Sequence, residues 1–73
     1  MTATVPATVR LANEIAVQFH HRDPDAAAAE IATHLRSFWE PRMLTALYAH
    51  VDAGGDGLDD LAVAAARRLR AGG

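Results

Sequence analysis

The chain contains no cysteine, no lysine and only four aromatic residues: Phe19, Phe38, Trp39 and Tyr48. Without cysteine there is no disulfide, no thiolate metal site and no thiol nucleophile. Absence of lysine leaves seven arginines as the only fixed cations, against nine acids, for a net charge of −2. Nucleic-acid binders concentrate basic residues on one face or stripe. Here the one cluster is Arg67, Arg68 and Arg70, which a helix C-terminus accommodates through its dipole. No apolar run approaches the roughly 20 residues that span a bilayer. Met1 to Ala7 lacks the basic start and apolar centre of a signal peptide. The expectation is a cytoplasmic protein that binds neither nucleic acid nor membrane.

Large apolar side chains are also scarce. Hydrophobic residues make up 51% of the 73 positions, but seventeen of them are alanine. Burying alanine returns little free energy, and a domain this short buries only ~60% of its unfolded surface. Marginal stability without a partner is therefore expected.

Proline and glycine divide the chain into helices. Pro6, behind Thr4, opens a segment in which Val9, Leu11, Ala12, Ile15, Ala16 and Phe19 recur at helical spacing, ending near His20 or His21. Asp23-Pro24 supplies an N-cap and a first-turn proline, and Asp25 suits the dipole. Ala27, Ala28, Ile31, Leu35 and Phe38 form one face of the second helix. Proline disfavours a helical conformation for the residue before it. Glu40-Pro41 therefore stops helix two near Phe38 or Trp39 and starts helix three, with its stripe of Leu44, Leu47, Tyr48 and Val51.

Gly54-Gly55 ends that third helix. Asp59 caps a fourth, with Leu58 as a hydrophobic staple and Leu61, Ala62, Ala65 and Leu69 facing inward. No segment alternates as a strand does. The sequence reads as all-α: one small domain over residues 1–73, of three to four short helices, with its ordered core over about 6–70.

The constellations that suggest chemistry have simpler readings. His20 and His21 are adjacent and so diverge on a helix, and neither has a His or carboxylate partner at the three- or four-residue spacing of a two-ligand face on its own helix, since Asp23-Pro24 starts a new one. Glu30 and His34 have that spacing but read as a surface pair; His50 stands alone. Asp52, Asp56, Gly57 and Asp60 partly match a calcium loop. Gly54 and Val63 occupy two ligand positions, including that of the bidentate glutamate. A glycine-rich connector is the better description. Ser37 is the only serine, and His34 on the same turn lacks a third member. No catalytic, cofactor-binding or metal-ligating residue is assigned.

What stands out is HLRSFWEPRM, residues 34–43. Trp and Arg are the commonest energetic anchors at protein interfaces, and Pro41 fixes the backbone just after Trp39. Trp39 falls off the Ile31–Leu35–Phe38 stripe and is expected to face outward. Arg36, Phe38, Trp39, Pro41, Arg42 and Met43 are the candidate partner interface. A small helix-turn-helix DNA-binding module is the alternative from another class, weakened because Arg42 is the only arginine on helix three.

LANEIAVQF (Leu11 to Phe19), HLRSFWEPRM (His34 to Met43) and AHVDAGGDGL (Ala49 to Leu58) resemble, in order and spacing, the delta subunit of cytosolic NAD-dependent, molybdenum-containing formate dehydrogenases. The resemblance covers roughly residues 8 to 70. One departure is Asp60, where the family pattern leads one to expect proline; both suit the first turn of a helix.

The resemblance implies a non-catalytic accessory subunit that docks on and stabilises the molybdenum-containing large subunit of the complex. An assembly chaperone for cofactor insertion into that subunit is the alternative. The molybdenum cofactor and iron–sulfur clusters would lie in the large subunit, and the FMN and NAD chemistry in others. This chain would carry no cofactor. Its residues agree, offering neither cysteines for a cluster nor a dinucleotide fingerprint.

Overall fold

The computed structural model describes residues 6–72. Thr4 lies outside the described residues. Four helices follow in order: α1 (Ala7–Val17), α2 (Pro24–Phe38), α3 (Pro41–Asp52) and α4 (Asp60–Gly72), with no strand among the described residues. The all-α expectation holds.

Each boundary has a local cause. Pro6 occupies the N-cap position of α1, one residue earlier than expected, and its carbonyl accepts from Arg10 N–H at 3.0 Å. α1 stops at Val17, short of His20. There the backbone tightens, with Gln18, Phe19 and His20 N–H donating three residues back to Ile15, Ala16 and Val17. The Asp23 carboxylate accepts from Ala26 N–H at 3.1 Å, and Pro24 fills the first turn of α2.

α2 ends at Phe38 because Trp39 turns extended, with φ −90° and ψ 139°, ahead of Glu40-Pro41. At the end of α3 the Gly55 N–H reaches the His50 carbonyl at 2.9 Å and Gly54 N–H the Val51 carbonyl at 3.0 Å. This is the paired closure of a Schellman motif. It requires positive φ at Gly54, which is +117° here.

α2 and α4 form the main packing pair, and their starts lie together: Pro24, Asp60 and Leu61 line one cleft with His20, Arg22 and Asp59. The two helices thus run side by side in the same direction. Ala27, Ala28 and Ala32 of α2 and Ala62, Ala65 and Ala66 of α4 are all buried. Small side chains let helix axes approach closely. Against this pair sit α1 and α3, contributing Val9, Ala12, Ala16 and Leu47 to the core. Eight of the fourteen buried hydrophobic residues are alanine, so Ile31, Leu35, Leu47, Leu58, Leu69 and Val9 supply the bulk. Leu58 is buried, consistent with the staple expected before α4. No polar or charged side chain is buried among the described residues.

Candidate functional site

Two junctions organise the surface, and only one is closed by the chain's own side chains. At the α3–α4 loop, Asn13 of α1 acts as a bracket. Its amide nitrogen donates to the Gly57 carbonyl at 2.9 Å, and its amide oxygen accepts from Asp59 N–H at 2.7 Å. The Asp59 carboxylate then caps α4 by accepting from Leu61 N–H at 2.9 Å. Its other oxygen lies 2.6 Å from His20 Nε2. His50 Nε2–H donates to the Asp56 carbonyl at 2.6 Å, and Asp52 pairs with Arg70 at 2.5 Å. The Asp52 and Asp59 carboxylates and the Asp56 and Gly57 carbonyls of the glycine-rich loop are therefore committed to the fold. No group of three or more His, Asp or Glu gathers to hold a metal among the described residues.

The α2–α3 corner is different. Arg36 is exposed in the last turn of α2, and Pro41 and Arg42 are exposed in the first turn of α3. Neither Arg36 nor Arg42 has a carboxylate partner among the described residues, whereas Arg10, Arg22 and Arg70 each do. Glu40 caps α3 through its backbone only, its carbonyl accepting from Met43 and Leu44 N–H at 2.9 and 3.1 Å. Met43 is half-buried.

The two aromatic interface candidates differ in exposure. Phe38, which continues the Ile31–Leu35 stripe and is also a candidate interface residue, is 74% exposed. Trp39, expected outward, is half-buried and packs against the core. The reason is the change of backbone at the helix end. Phe38, the last helical residue, follows the Glu30–His34 row by four residues, and its ring lies 4.8 Å from the His34 ring at 40°. One residue later the extended conformation of Trp39 redirects its side chain, and the indole covers the core.

Phe38 is also one wall of a groove that sequence reasoning missed. The other wall is Phe19, in the turn just past α1, with Glu30, Thr33, His34 and Ser37 of α2 also lining it. Arg22 lies over the Phe19 ring at 5.4 Å and pairs with Glu30. The isolated aromatic at the end of the α1 stripe was the only available signal. A flatter apolar spot surrounds Val17, which is 58% exposed, on the outer side of α1.

No helix among the described residues is long and apolar enough to cross a membrane. No curated protein and no solved structure matches the chain. The family model for the NADH-dependent formate dehydrogenase delta subunit, FdsD, matches residues 8–66. That span holds α1 but for its first residue, α2 and α3 entire and about half of α4, together with both junctions, and the chain belongs to this delta-subunit family.

Proposed function

We propose that this delta subunit is a non-catalytic component that docks on the molybdenum-containing large subunit of its formate dehydrogenase through the α2–α3 corner, and stabilises it. The observation that carries the reading is the state of that corner. Phe38 is 74% exposed on the outside of a domain with few large apolar side chains, and the flanking Arg36 and Arg42 lack carboxylate partners among the described residues. A single exposed apolar residue is ordinary. An exposed aromatic residue with unpaired arginines near it in sequence has the composition of an interface segment.

A passive role is supported by the chemistry available. With no cysteine to hold a cluster and no buried charged side chain among the described residues, the chain offers little with which to carry electrons or shift a proton. Its contribution is contact area.

Co-expression with a tagged large subunit tests the proposal. The wild-type chain is expected to co-elute in fixed ratio with the molybdenum-loaded large subunit and to lengthen that subunit's half-life on heating. Co-elution with the flavin-bearing subunits alone refutes the assignment of the partner. Association only before the cofactor is inserted replaces a permanent subunit with an assembly factor.

A further inference from the structure

We infer that the end of the bundle where α2 and α4 finish side by side is a docking surface for an acidic, carboxylate-rich face of the large subunit. This rests on the docking reading above and adds to it the end of α4 and the charge of the partner.

The net charge of −2 conceals a separation. α2 and α4 start together at the cleft of Pro24, Asp60 and Leu61 and run in the same direction. They have 15 and 13 residues, so their ends lie within ~3 Å of one another along the shared direction. What one helix places at an end is therefore gathered with what the other places there. The starts carry Asp23 and Asp25 beside Asp59 and Asp60. The last turns carry Arg36 in α2 and Arg67, Arg68 and Arg70 in α4. Arg42 opens α3 at the same end, because only Trp39 and Glu40 separate that helix from α2.

Pairing sharpens the separation. Arg10, Arg22 and Arg70 meet Glu14, Glu30 and Asp52. The other four arginines, Arg36, Arg42, Arg67 and Arg68, are exposed and have no carboxylate partner among the described residues. All four belong to the finishing end. The acids near them are Glu40, in the α2–α3 turn, and Asp52, which Arg70 already engages.

The helix dipole explains why α2 and α4 each begin with acids and end with cations. It does not explain Arg42, which sits at a helix start, where a cation is unfavourable. Nor does it favour the parallel arrangement, which brings like charges from two helices together; an antiparallel pair would have cancelled them. The helices are ~20 Å long, more than twice the ~8 Å screening length at physiological salt. Each end thus presents its own sign to an approaching surface.

Four uncommitted guanidinium groups on one end select carboxylates, which they bind through two parallel hydrogen bonds. The acidic starting end is repelled by the same partner face, so the separation fixes which way round the subunit docks. A nucleic acid also offers anionic oxygens, but a long polyanion meets the acidic end as well as the basic one. A local acidic face on a protein meets only the basic end.

The test follows association of the full chain with the purified large subunit at low and at moderate salt. The wild type is expected to associate faster at low salt. Arg67→Ala with Arg68→Ala is expected to slow association about ten-fold and to flatten its salt dependence, with helicity by circular dichroism retained. Arg67→Lys with Arg68→Lys keeps the charge and should restore the rate. Asp25→Asn with Asp60→Asn, at the opposite end, should associate as fast as wild type or faster. If the alanine pair keeps both rate and salt dependence, the end of α4 lies outside the docking surface, and the docking reading stands without it. If the lysine pair is as slow as the alanine pair, charge is not the cause and the acidic partner face is wrong. Equally tight binding of the wild type to a mixed-sequence DNA duplex at moderate salt would replace the carboxylates with a phosphate backbone. If the wild type does not bind the large subunit at either salt, the docking reading falls and takes this inference with it.

Discussion

The α3–α4 junction and the α2–α3 junction are both short turns between helices, and they are finished in opposite ways. The first is closed from within the chain. Asn13 reaches it from 44 and 46 residues away, Asp59 caps α4, and His20 meets the other Asp59 oxygen. The second is left open. Its helix start has no side-chain cap, its two arginines have no carboxylate partners among the described residues, and its phenylalanine faces outward. A polar or apolar group left without a partner by its own chain is available to another. The contrast separates what the fold needs from what the proposed docking would use.

Trp39 is the residue that can most sharply break this contrast, because it belongs to the open junction by position and to the core by packing. Leu47→Ala, at a fully buried site, sets the scale at about 3 kcal/mol of lost stability. Trp39→Ala is expected to cost about 2 kcal/mol in the free chain, read as a fall in melting temperature by circular dichroism. An unchanged melting temperature for Trp39→Ala would return the indole to the surface and reunite it with Phe38.

Phe38→Ala is expected to do the reverse. At an exposed position its effect on the melting temperature is within about 0.5 kcal/mol, while co-purification with the large subunit drops steeply. Equal damage to fold and complex would erase the distinction between the junctions.

Asn13→Ala tests the closed junction. The Asp59 N–H, part-buried, and the Gly57 carbonyl lose their partners, at a cost of about 1 to 2 kcal/mol. A small domain loses ~4–8 °C per kcal/mol, so the change is measurable. Docking should be untouched once the variant is folded.

Arg42→Ala has the smallest expected effect on the free chain. A cation in the first turn of a helix is unfavourable by ~0.3–1 kcal/mol, so removing it should leave stability unchanged or slightly higher. A clear loss of stability would mean that Arg42 serves the fold after all.

These junctions also show where sequence reading succeeds and where it stops. Asp23-Pro24, Glu40-Pro41, Gly54-Gly55 and Asp59 are local instructions. Each acts on backbone within a few residues, and the helix boundaries at Pro24, Phe38, Pro41 and Asp52 follow from them. The end of α1 carries no such mark, and the helix stops at Val17, short of the expected His20.

The bracket from Asn13 and the His20–Asp59 pair join residues 39 to 46 positions apart. Only the packed arrangement brings them together, so spacing could not reveal them. The outward direction expected for Trp39, and the place of Phe38 on the inward stripe, failed for another reason. Helical periodicity assigns faces only while the backbone stays helical, and the change from helix to extended chain falls between these two residues. The corner was legible in the sequence as a sharp turn between two helices; the direction in which each ring points was not.

The position of Trp39 has a spectroscopic consequence. It is the only tryptophan in the chain, and it sits half-buried beside an exposed corner. Its emission colour and its quenching by a soluble collisional quencher therefore register both loss of the core and the arrival of a covering surface. Unfolding moves the emission to the red and opens it to quencher, whereas coverage moves it to the blue and shields it. One native indole thus distinguishes the free, docked and unfolded forms of the subunit without a label.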